Sequence, residues 1–179
     1  MSLKTRFSNH YLWDIVMNKP ALQDIVVPEG ICFGCGPKNP EGLQIKSYWD
    51  EDNVHVIATH MPDEKYNGWP GLVYGGLIAC LIDCHSNAAA IAYHYRNENR
   101  DEKTSPLINC VTGTLNIKYI KPTPMGVLLT LKARLEGKIE RKTRIICDLY
   151  AGDTLTAIGD SIFVRVDVSD LAKSAHCRS

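Results

Sequence analysis

One carboxylate stands alone in a long apolar stretch of this 179-residue chain. Residues 71–95 carry a single formally charged side chain, Asp83, and the pair Gly75 and Gly76 precedes it. An ionised carboxylate is costly to bury, so it must be paired, neutralised or used in chemistry. Glycines at the start of a helix leave unpaired backbone N–H groups open to an approaching anion. The pattern predicts a candidate active site at Asp83 and anion stabilisation at the glycines.

Both features also have a purely structural interpretation. Glycines at this point would equally permit a tight turn beneath a sheet. The carboxylate of Asp83 would equally cap backbone amides or pair with a buried base. Small residues share its helical stripe and leave room for a substrate or a second subunit: Gly76, Ala79, Cys80, Asn87 and Ala90.

Charge and cysteine usage exclude several classes of function. Twenty basic residues balance twenty acidic ones, so no broad field attracts nucleic acid or an anionic membrane. Seven cysteines, an odd number, suit a reducing compartment better than a disulfide framework. The first thirteen residues lack the apolar core of a signal peptide. We therefore expect a single-domain cytoplasmic protein.

The apolar stretch at residues 71–95 is long enough to cross a membrane. Neither flank supplies a clear basic anchor. Polar side chains also interrupt the run: Asp83, His85, Ser86, Asn87 and His94. We expect instead a core helix from residue 75 to residue 94, about 30 Å long and buried on most sides by a sheet.

Alternating apolar and polar residues on both sides of this helix predict β-strands. Two strands before it form a hairpin, and four after it form an antiparallel meander with a tight turn at residues 151–153. The predicted strands are residues 43–49, 53–59, 111–119, 127–136, 144–150 and 154–166. One long helix against an antiparallel sheet defines an α+β domain. Before the first strand we predict one or two short helices, with Asn9 as an N-cap and Pro20 as a stop.

Three segments resemble a known family. Residues 66–76, Tyr-Asn-Gly-Trp-Pro-Gly-Leu-Val-Tyr-Gly-Gly, are similar to the segment that ends in His-Gly-Gly in hotdog-fold acyl-CoA thioesterases of the phenylacetate-pathway (PaaI) type. Residues 32–43, with Cys-Phe-Gly-Cys-Gly and then Asn-Pro-Glu-Gly-Leu, resemble the opening motif of one branch. Residues 115–119 with Pro122 resemble the third-strand signature. The resemblance covers about residues 32–166.

The resemblance implies the hotdog fold, in which a curved antiparallel sheet of about six strands wraps around one long central helix. It divides the chain into an N-terminal helical extension (1–31), a hotdog domain (32–167) and a polar tail (168–179). It also implies an acyl-CoA substrate, no cofactor beyond the coenzyme A of that substrate, and a homodimer or dimer of dimers with composite sites. Nucleic acid and membrane are not expected partners.

For individual residues, the resemblance assigns Asp83 as general base or nucleophile and the Gly75–Gly76 amides as donors to the thioester carbonyl. Thr112 matches a Ser or Thr that holds the attacking water or the carboxylate from across a subunit boundary. Strict alternation turns Thr112 away from the helix unless Gly113 forms a β-bulge. An ordinary exposed strand threonine is the alternative.

Asn67 matches a polar residue that lies near the reacting carbonyl in similar proteins. A turn residue before a glycine is its alternative role. Arg141, Lys142 and Arg144 match a basic element near the nucleotide end of coenzyme A, where positive charge suits phosphates. Charges in a hairpin loop are also often merely solvated.

Tyr74 departs from the family pattern, which has histidine at this position. A phenol donates a hydrogen bond and contributes to substrate binding, but it does not titrate near neutrality. His85 does not replace the missing histidine, because side chains two positions apart on a helix point in different directions. We expect His85 to be a satisfied core histidine. Two functions stay open: an acyl-CoA thioesterase, and an acyl-thioester-binding hotdog protein without hydrolysis. A hotdog dehydratase expects a catalytic histidine and is disfavoured.

Cys32 and Cys35 have the spacing of a zinc knuckle. Two thiolates cannot close a tetrahedral site, and along the chain no second pair of Cys or His residues stands nearby at ligand spacing. We therefore expect a structural role for these cysteines and no metal.

Overall fold

A computed structural model describes residues 19–167 of the chain. Helix α1 (Leu22–Val26) begins two residues after Pro20 and agrees with the prediction of short helices before the first strand. That Pro20 ends a preceding helix stays a prediction, because such a helix would lie before residue 19. The predicted N-cap at Asn9 and the predicted tail at 168–179 lie outside the described residues.

Helix α2 (Gly75–Asn97) is the long helix that the sequence predicted, three residues longer at its C-terminal end. The strands follow the predicted segments with small shifts, and a further short hairpin, β3–β4, precedes α2. They are β1 (Ser47–Trp49), β2 (Val56–His60), β3 (Asn67–Trp69), β4 (Leu72–Val73), β5 (Asn109–Tyr119), β6 (Leu129–Glu136), β7 (Lys142–Ala151) and β8 (Thr154–Val166).

The main sheet has six antiparallel strands in the order β1-β2-β6-β7-β8-β5. Strands β6, β7 and β8 form a meander, with Gly152 in the predicted turn at a φ of 57°. The prediction that β5 also belongs to the meander was wrong, because β5 pairs with β8 instead of β6. Alternation shows which face of a strand is apolar but not which strand lies beside it.

Helix α2 packs across one face of this sheet. Leu81 and Ile82 are fully buried, and they meet inward-facing residues of β6, β7 and β8. Gly159 on β8 permits this close approach, since a Cβ there would lie 2.3 Å from the Ile82 side chain. The helix is long and apolar enough to cross a membrane, yet 67% of its most apolar window is buried inside the protein. The structure therefore confirms a core helix within the described residues.

His85 on α2 is a satisfied core histidine, as predicted. Its Nε2 lies 3.2 Å from the Val56 carbonyl oxygen, and its Nδ1 lies 2.8 Å from Ser47 Oγ. The carbonyl can only accept, so Nε2 carries the proton and Nδ1 accepts from the hydroxyl. Ser47 Oγ in turn accepts from Gln23 Nε2 at 2.8 Å. This chain of hydrogen bonds joins α1, β1, β2 and α2, and burial lowers the pKa of His85 to about 4.

Candidate active site

Asp83 and Thr112 meet on the open side of α2. Thr112 Oγ1 donates a hydrogen bond of 2.7 Å to Asp83 Oδ1. Asp83 is half-buried and Thr112 is exposed, so the carboxylate is oriented without being sealed from water. Four residues further along the helix, Asn87 Nδ2 donates to the Cys110 carbonyl oxygen at 3.0 Å. These two bonds attach one stripe of α2 to the beginning of β5.

A β-bulge at Gly113 explains how Thr112 reaches the helix. The register of β5 against β8 shifts between Thr112 and Thr114, which leaves Gly113 as the extra residue. Thr112 is opposite Phe163, which is fully buried against the core, so Thr112 also points inward. A Cβ on Gly113 would lie 2.9 Å from Val164 Cγ2, so the bulge itself favours glycine. The β-bulge that Thr112 needs in order to face the helix is therefore present.

The expected origin of this contact was different. The resemblance implied that Thr112 would act from across a subunit boundary, but the hydrogen bond to Asp83 forms within one chain. The reason is that β5 follows α2 in the chain and packs beside it, so the bulge brings Thr112 of the same chain to Asp83.

A cavity of about 420 Å³ opens beside the Asp83–Thr112 pair. The amide and oxygen-bearing side chains in its wall are Asp83, Asn87, Thr112 and Gln23. The rest of the wall is largely apolar and comes from α1, the loop after it, α2 and β5: Val26, Val27, Ile31, Ala88, Ile91 and Val111. An apolar cavity with a few convergent polar groups is the usual form of a small-molecule site.

Gly75 and Gly76 form the first turn of α2, as predicted, with Tyr74 as the N-cap residue. The Tyr74 side chain lies over Gly76, because a Cβ there would be 2.3 Å from Tyr74 Cε1. Any larger residue at position 76 would collide with this ring. Tyr119 Oη donates to the Gly75 carbonyl oxygen at 2.8 Å, which ties the turn to the end of β5.

The helix start and the carboxylate lie apart within one chain. Seven residues separate Gly76 from Asp83 on α2, and at about 1.5 Å per residue this is about 10 Å along the axis. A thioester carbonyl that touched the Gly75–Gly76 amides would therefore not reach Asp83 of the same subunit. The start of α2 and the Asp83–Thr112 pair are therefore two candidate half-sites.

Asn67 is exposed, and its side chain is engaged locally. Its Nδ2 donates to the Glu64 carbonyl oxygen at 3.1 Å, across the 3-10 turn Glu64–Tyr66 that leads into β3. Asn67 precedes the start of α2 by eight positions, and it is not among the residues that line the cavity beside Asp83. The bond agrees with the turn role given above as the alternative, and the role of Asn67 near the reacting carbonyl stays a prediction.

The three predicted basic residues have different surroundings. Arg144 forms a bidentate pair with Asp160 of β8, with both N···O distances at 2.8 Å. This hydrogen bonding with Asp160 raises the pKa of Arg144. Lys142 is exposed at the start of β7, while Arg141 lines a second depression. That depression adjoins the cavity, since Val26, Val27 and Gly30 line both.

The strand β5 is a long edge of the sheet. It pairs with β8 on one side, and no described residue pairs with its other side. Three large aromatic side chains beside this edge and the start of α2 are exposed: Trp69 (73%), Tyr74 (56%) and Tyr119 (53%). An unpaired edge with adjacent exposed aromatics is typical of a protein–protein interface.

Sequence reasoning paired Cys32 with Cys35 but missed the helix cysteines that lie beside them. The sulfur atoms of Cys32, Cys35 and Cys84 lie within 4.8 Å of one another. Hydrogen bonding with Cys84 lowers the pKa of Cys35 to about 7, and hydrogen bonding with Cys84 also lowers the pKa of Cys80. The complementary bonds with Cys35 and Cys80, together with burial, raise the pKa of Cys84. A usable signal was present, because Cys80 and Cys84 are four apart and share a helix face.

Comparison with solved structures gives the class of protein. A thioesterase superfamily protein from Shewanella loihica PV-4 is 39% identical to this chain, with a TM-score of 0.56. The match covers 69% of this chain and 91% of that protein. The chain belongs to the thioesterase superfamily, and the predicted hotdog fold is confirmed.

More distant proteins share parts of the chain. The acyl-coenzyme A thioesterase THEM4 of Rattus norvegicus is 25% identical over 128 residues, which are 70% of this chain and 50% of that protein. The chain thus spans about half the length of the curated relatives it matches. A Streptococcus mutans protein solved bound to acetyl-CoA shares the fold, with 19% identity and a TM-score of 0.54 over 68% of this chain and 86% of that one. No family model matches the chain.

Proposed function

We propose that this protein is an acyl-CoA thioesterase, which hydrolyses an acyl-CoA thioester to a free acid and coenzyme A. The observation that carries the proposal is the oriented Asp83–Thr112 pair in the wall of an apolar cavity. Membership of the thioesterase superfamily agrees with it. On the motifs at residues 32–43 and 66–76, we further assign the chain to the PaaI-type branch.

The chemistry follows from the carboxylate. As a general base, Asp83 takes a proton from water, the resulting hydroxide attacks the thioester carbonyl carbon, and the C–S bond breaks to release coenzyme A. As a nucleophile, Asp83 attacks the same carbon, and the C–S bond breaks to expel the coenzyme A thiolate. Water then hydrolyses the resulting anhydride to the free acid and the Asp83 carboxylate. Thr112 holds the carboxylate in either case. Negative charge builds on the carbonyl oxygen, where fixed N–H donors lower the barrier most.

Those donors are best supplied by a second copy of the chain. The start of α2 lies too far along the helix to serve Asp83 of its own subunit, while β5 is an edge of the described sheet that a second β5 would cover. We propose a homodimer, or a dimer of dimers, in which Asp83 of one subunit faces the Gly75–Gly76 amides of the other. A symmetric pair of such sites follows from a two-fold axis.

The acyl group is proposed to lie in the apolar cavity, and the phosphates of coenzyme A near Arg141. Arg141 lines the depression that adjoins the cavity, whereas Arg144 is already neutralised by Asp160. Lys142 lies next to Arg141 and adds a second positive charge. The Streptococcus mutans neighbour with bound acetyl-CoA supports the same ligand class.

Tyr74 favours one alternative, an acyl-thioester-binding protein without hydrolysis. Its phenol stands where similar enzymes have histidine, and it covers Gly76 at the proposed anion site. Such a protein would use the same cavity and the same basic residues to hold a thioester. Only turnover separates this alternative from the enzyme.

The test is a panel of acyl-CoA esters of different chain length and aromatic character. Purified protein is mixed with each ester, and released thiol is followed with a chromogenic disulfide. Catalytic release of coenzyme A from at least one ester is the expected result. Saturable binding by calorimetry without thiol release from any ester would establish the binding protein instead.

A further inference from the structure

We propose that Cys32, Cys35 and Cys84 bind one zinc ion, with Cys80 as the fourth ligand. The three sulfur atoms already lie within 4.8 Å of one another, and Cys32 Sγ is 3.8 Å from Cys84 Sγ. A tetrahedral site with Zn–S bonds of about 2.3 Å places neighbouring sulfurs about 3.8 Å apart. The observed spacing is therefore that of thiolates around a single ion.

Two elements bring these cysteines together. The loop at residues 32–36 is a tight turn, closed by a hydrogen bond of 2.9 Å from the Gly36 N–H to the Cys32 carbonyl oxygen. It presents Cys32 and Cys35 on one side. Helix α2 presents Cys80 and Cys84 one turn apart on the same face. Two residues from a turn and two from a helix are a common way to complete a zinc site.

Gly34 shows that the helix cysteines approach the loop closely. A Cβ on Gly34 would lie 2.3 Å from Cys84 Sγ and 3.0 Å from Cys80 Sγ. Both sulfur atoms therefore contact the turn between Cys32 and Cys35. Only a residue without a side chain fits there, which is why this position in the motif carries glycine. The contact places Cys80 Sγ beside the same turn, and we therefore assign Cys80 to the fourth coordination position.

The donor atoms select the kind of metal. All four groups are sulfur, and soft thiolates favour zinc or iron–sulfur clusters over magnesium or calcium. The sulfurs of Cys32, Cys35 and Cys84 are close enough to share one ion, whereas a cluster separates its thiolates more widely. All four are free thiols in the structure. Zinc is therefore the ion that the arrangement fits.

A zinc ion at this position would fasten the loop over the cavity. Ile31, Cys32 and Cys35 form one part of the cavity wall, and Cys84 directly follows Asp83 on another part. The ion would join these two parts and hold the width of the cavity beside the carboxylate. It is a structural ion, because four thiolates leave no open position for water or substrate.

Metal content of the purified full chain tests the proposal directly. The protein is expressed without a metal-binding tag and analysed by mass spectrometry of elements, with about one zinc per chain expected. Cys32→Ser is expected to lose this zinc, while Cys110→Ser, a cysteine on β5 outside the cluster, is expected to retain it. Cobalt added to the metal-free wild type should give the absorption of a tetrahedral cobalt thiolate. Absence of zinc after reconstitution, or stoichiometric iron, would overturn the assignment.

Thiol counting of the wild type needs no variant to fold. The chain has seven cysteines, so the zinc proposal expects seven reactive thiols after denaturation with a chelator. Two fewer would show a disulfide in the cluster and overturn it. Cys80→Ser is expected to bind zinc at least tenfold more weakly, and equal affinity would remove Cys80 as the fourth ligand. Metal content is measured without substrate, so its outcome is independent of the thioesterase proposal.

Discussion

The hydroxyl of Thr112 donates to the carboxylate of Asp83 at 2.7 Å, although 29 residues separate the two in sequence. A single extra residue in β5, Gly113, makes this bond possible, because it turns Thr112 from the outer to the inner face of the sheet. The bond holds one carboxylate oxygen, and Asp83 lines the cavity. The Asp83 carboxylate is thereby held in one orientation at the cavity wall.

Asp83→Asn is expected to reduce kcat by about a hundredfold or more, as for the loss of a positioned base or nucleophile. The amide keeps the shape of the side chain and can still accept from Thr112, so folding and coenzyme A binding should be retained. Thiol release gives kcat, and calorimetry with coenzyme A gives the affinity. Wild-type turnover in this variant would make Asp83 a structural carboxylate.

Thr112→Val removes the hydroxyl but keeps the size and β-branching of the side chain. A hydrogen bond to a charged group contributes about 1.5–3 kcal/mol, so kcat should fall by about tenfold or more. Thr112→Ser keeps the hydroxyl and is the matched control, which should remain within a few-fold of wild type. If valine and serine behave alike, the contact does not contribute to turnover.

Gly75→Pro tests the helix start as an anion site. Proline removes the Gly75 N–H, and the backbone suits it, because Tyr74 is extended with φ −57° and ψ 128°. Loss of one such donor is expected to reduce kcat by about a hundredfold. Gly75→Ala adds a Cβ but keeps the N–H, so it controls for the new side chain, whose nearest neighbour is Tyr119 Oη at 3.3 Å.

The same variant tests whether the site is shared between subunits. Inactive Gly75→Pro and inactive Asp83→Asn proteins are mixed, unfolded together and refolded. Random pairing puts one intact composite site in half of the dimers, so about one quarter of the wild-type activity should return. Activity that stays at the level of the separate variants would place both half-sites in one subunit and contradict the proposed dimer.

Tyr74→Phe and Tyr74→His separate the packing of Tyr74 from its hydroxyl. Phenylalanine keeps the ring over Gly76 and removes only one donor, so kcat should fall less than in Asp83→Asn. Histidine restores the residue that similar enzymes carry, and turnover should equal or exceed the wild type. A larger loss in Tyr74→His than in Tyr74→Phe would show that the phenol itself is required.

His85 predicts how stability depends on pH. Its pKa is about 4 in the folded protein, below the ordinary histidine value of 6.5, because burial disfavours the charged ring. The unfolded chain therefore binds a proton first as the pH falls. The stabilisation by His85 is complete above about pH 6.5 and is lost as the pH falls towards about 4, on the order of 3 kcal/mol in all. Denaturant unfolding at several pH values measures the loss.

The matched variant is His85→Gln, whose amide can donate to the Val56 carbonyl and accept from Ser47 but does not titrate. It should show a flatter decrease in the free energy of unfolding than the wild type as the pH falls from 6.5 to about 4. The burial of His94 also lowers its pKa, so part of the slope should remain. Equal slopes in the two proteins would mean that His85 is not buried as a neutral ring.

Local pattern in the sequence was enough to identify each main element. Apolar residues recur with helical spacing in residues 75–94 and alternate in residues 154–166. Each pattern indicates which side of the element is apolar, and that side is buried in the fold. Gly113 also indicated where a β-bulge could interrupt the alternation of β5. Asp83 stood out because a charge in an apolar helix needs a reason.

Tertiary structure decided which elements are neighbours. Periodicity contains no information on strand order, so neither strand alone could predict the pairing of β5 with β8. The same limit concealed the approach of Cys84 to Cys32 and Cys35, since their contact depends on how a turn packs against a helix 45 residues or more further along the chain. The two half-sites also depend on tertiary structure. The sequence indicated both Asp83 and Gly76, but the rise of the helix between them shows that one subunit cannot bring both to the same carbonyl.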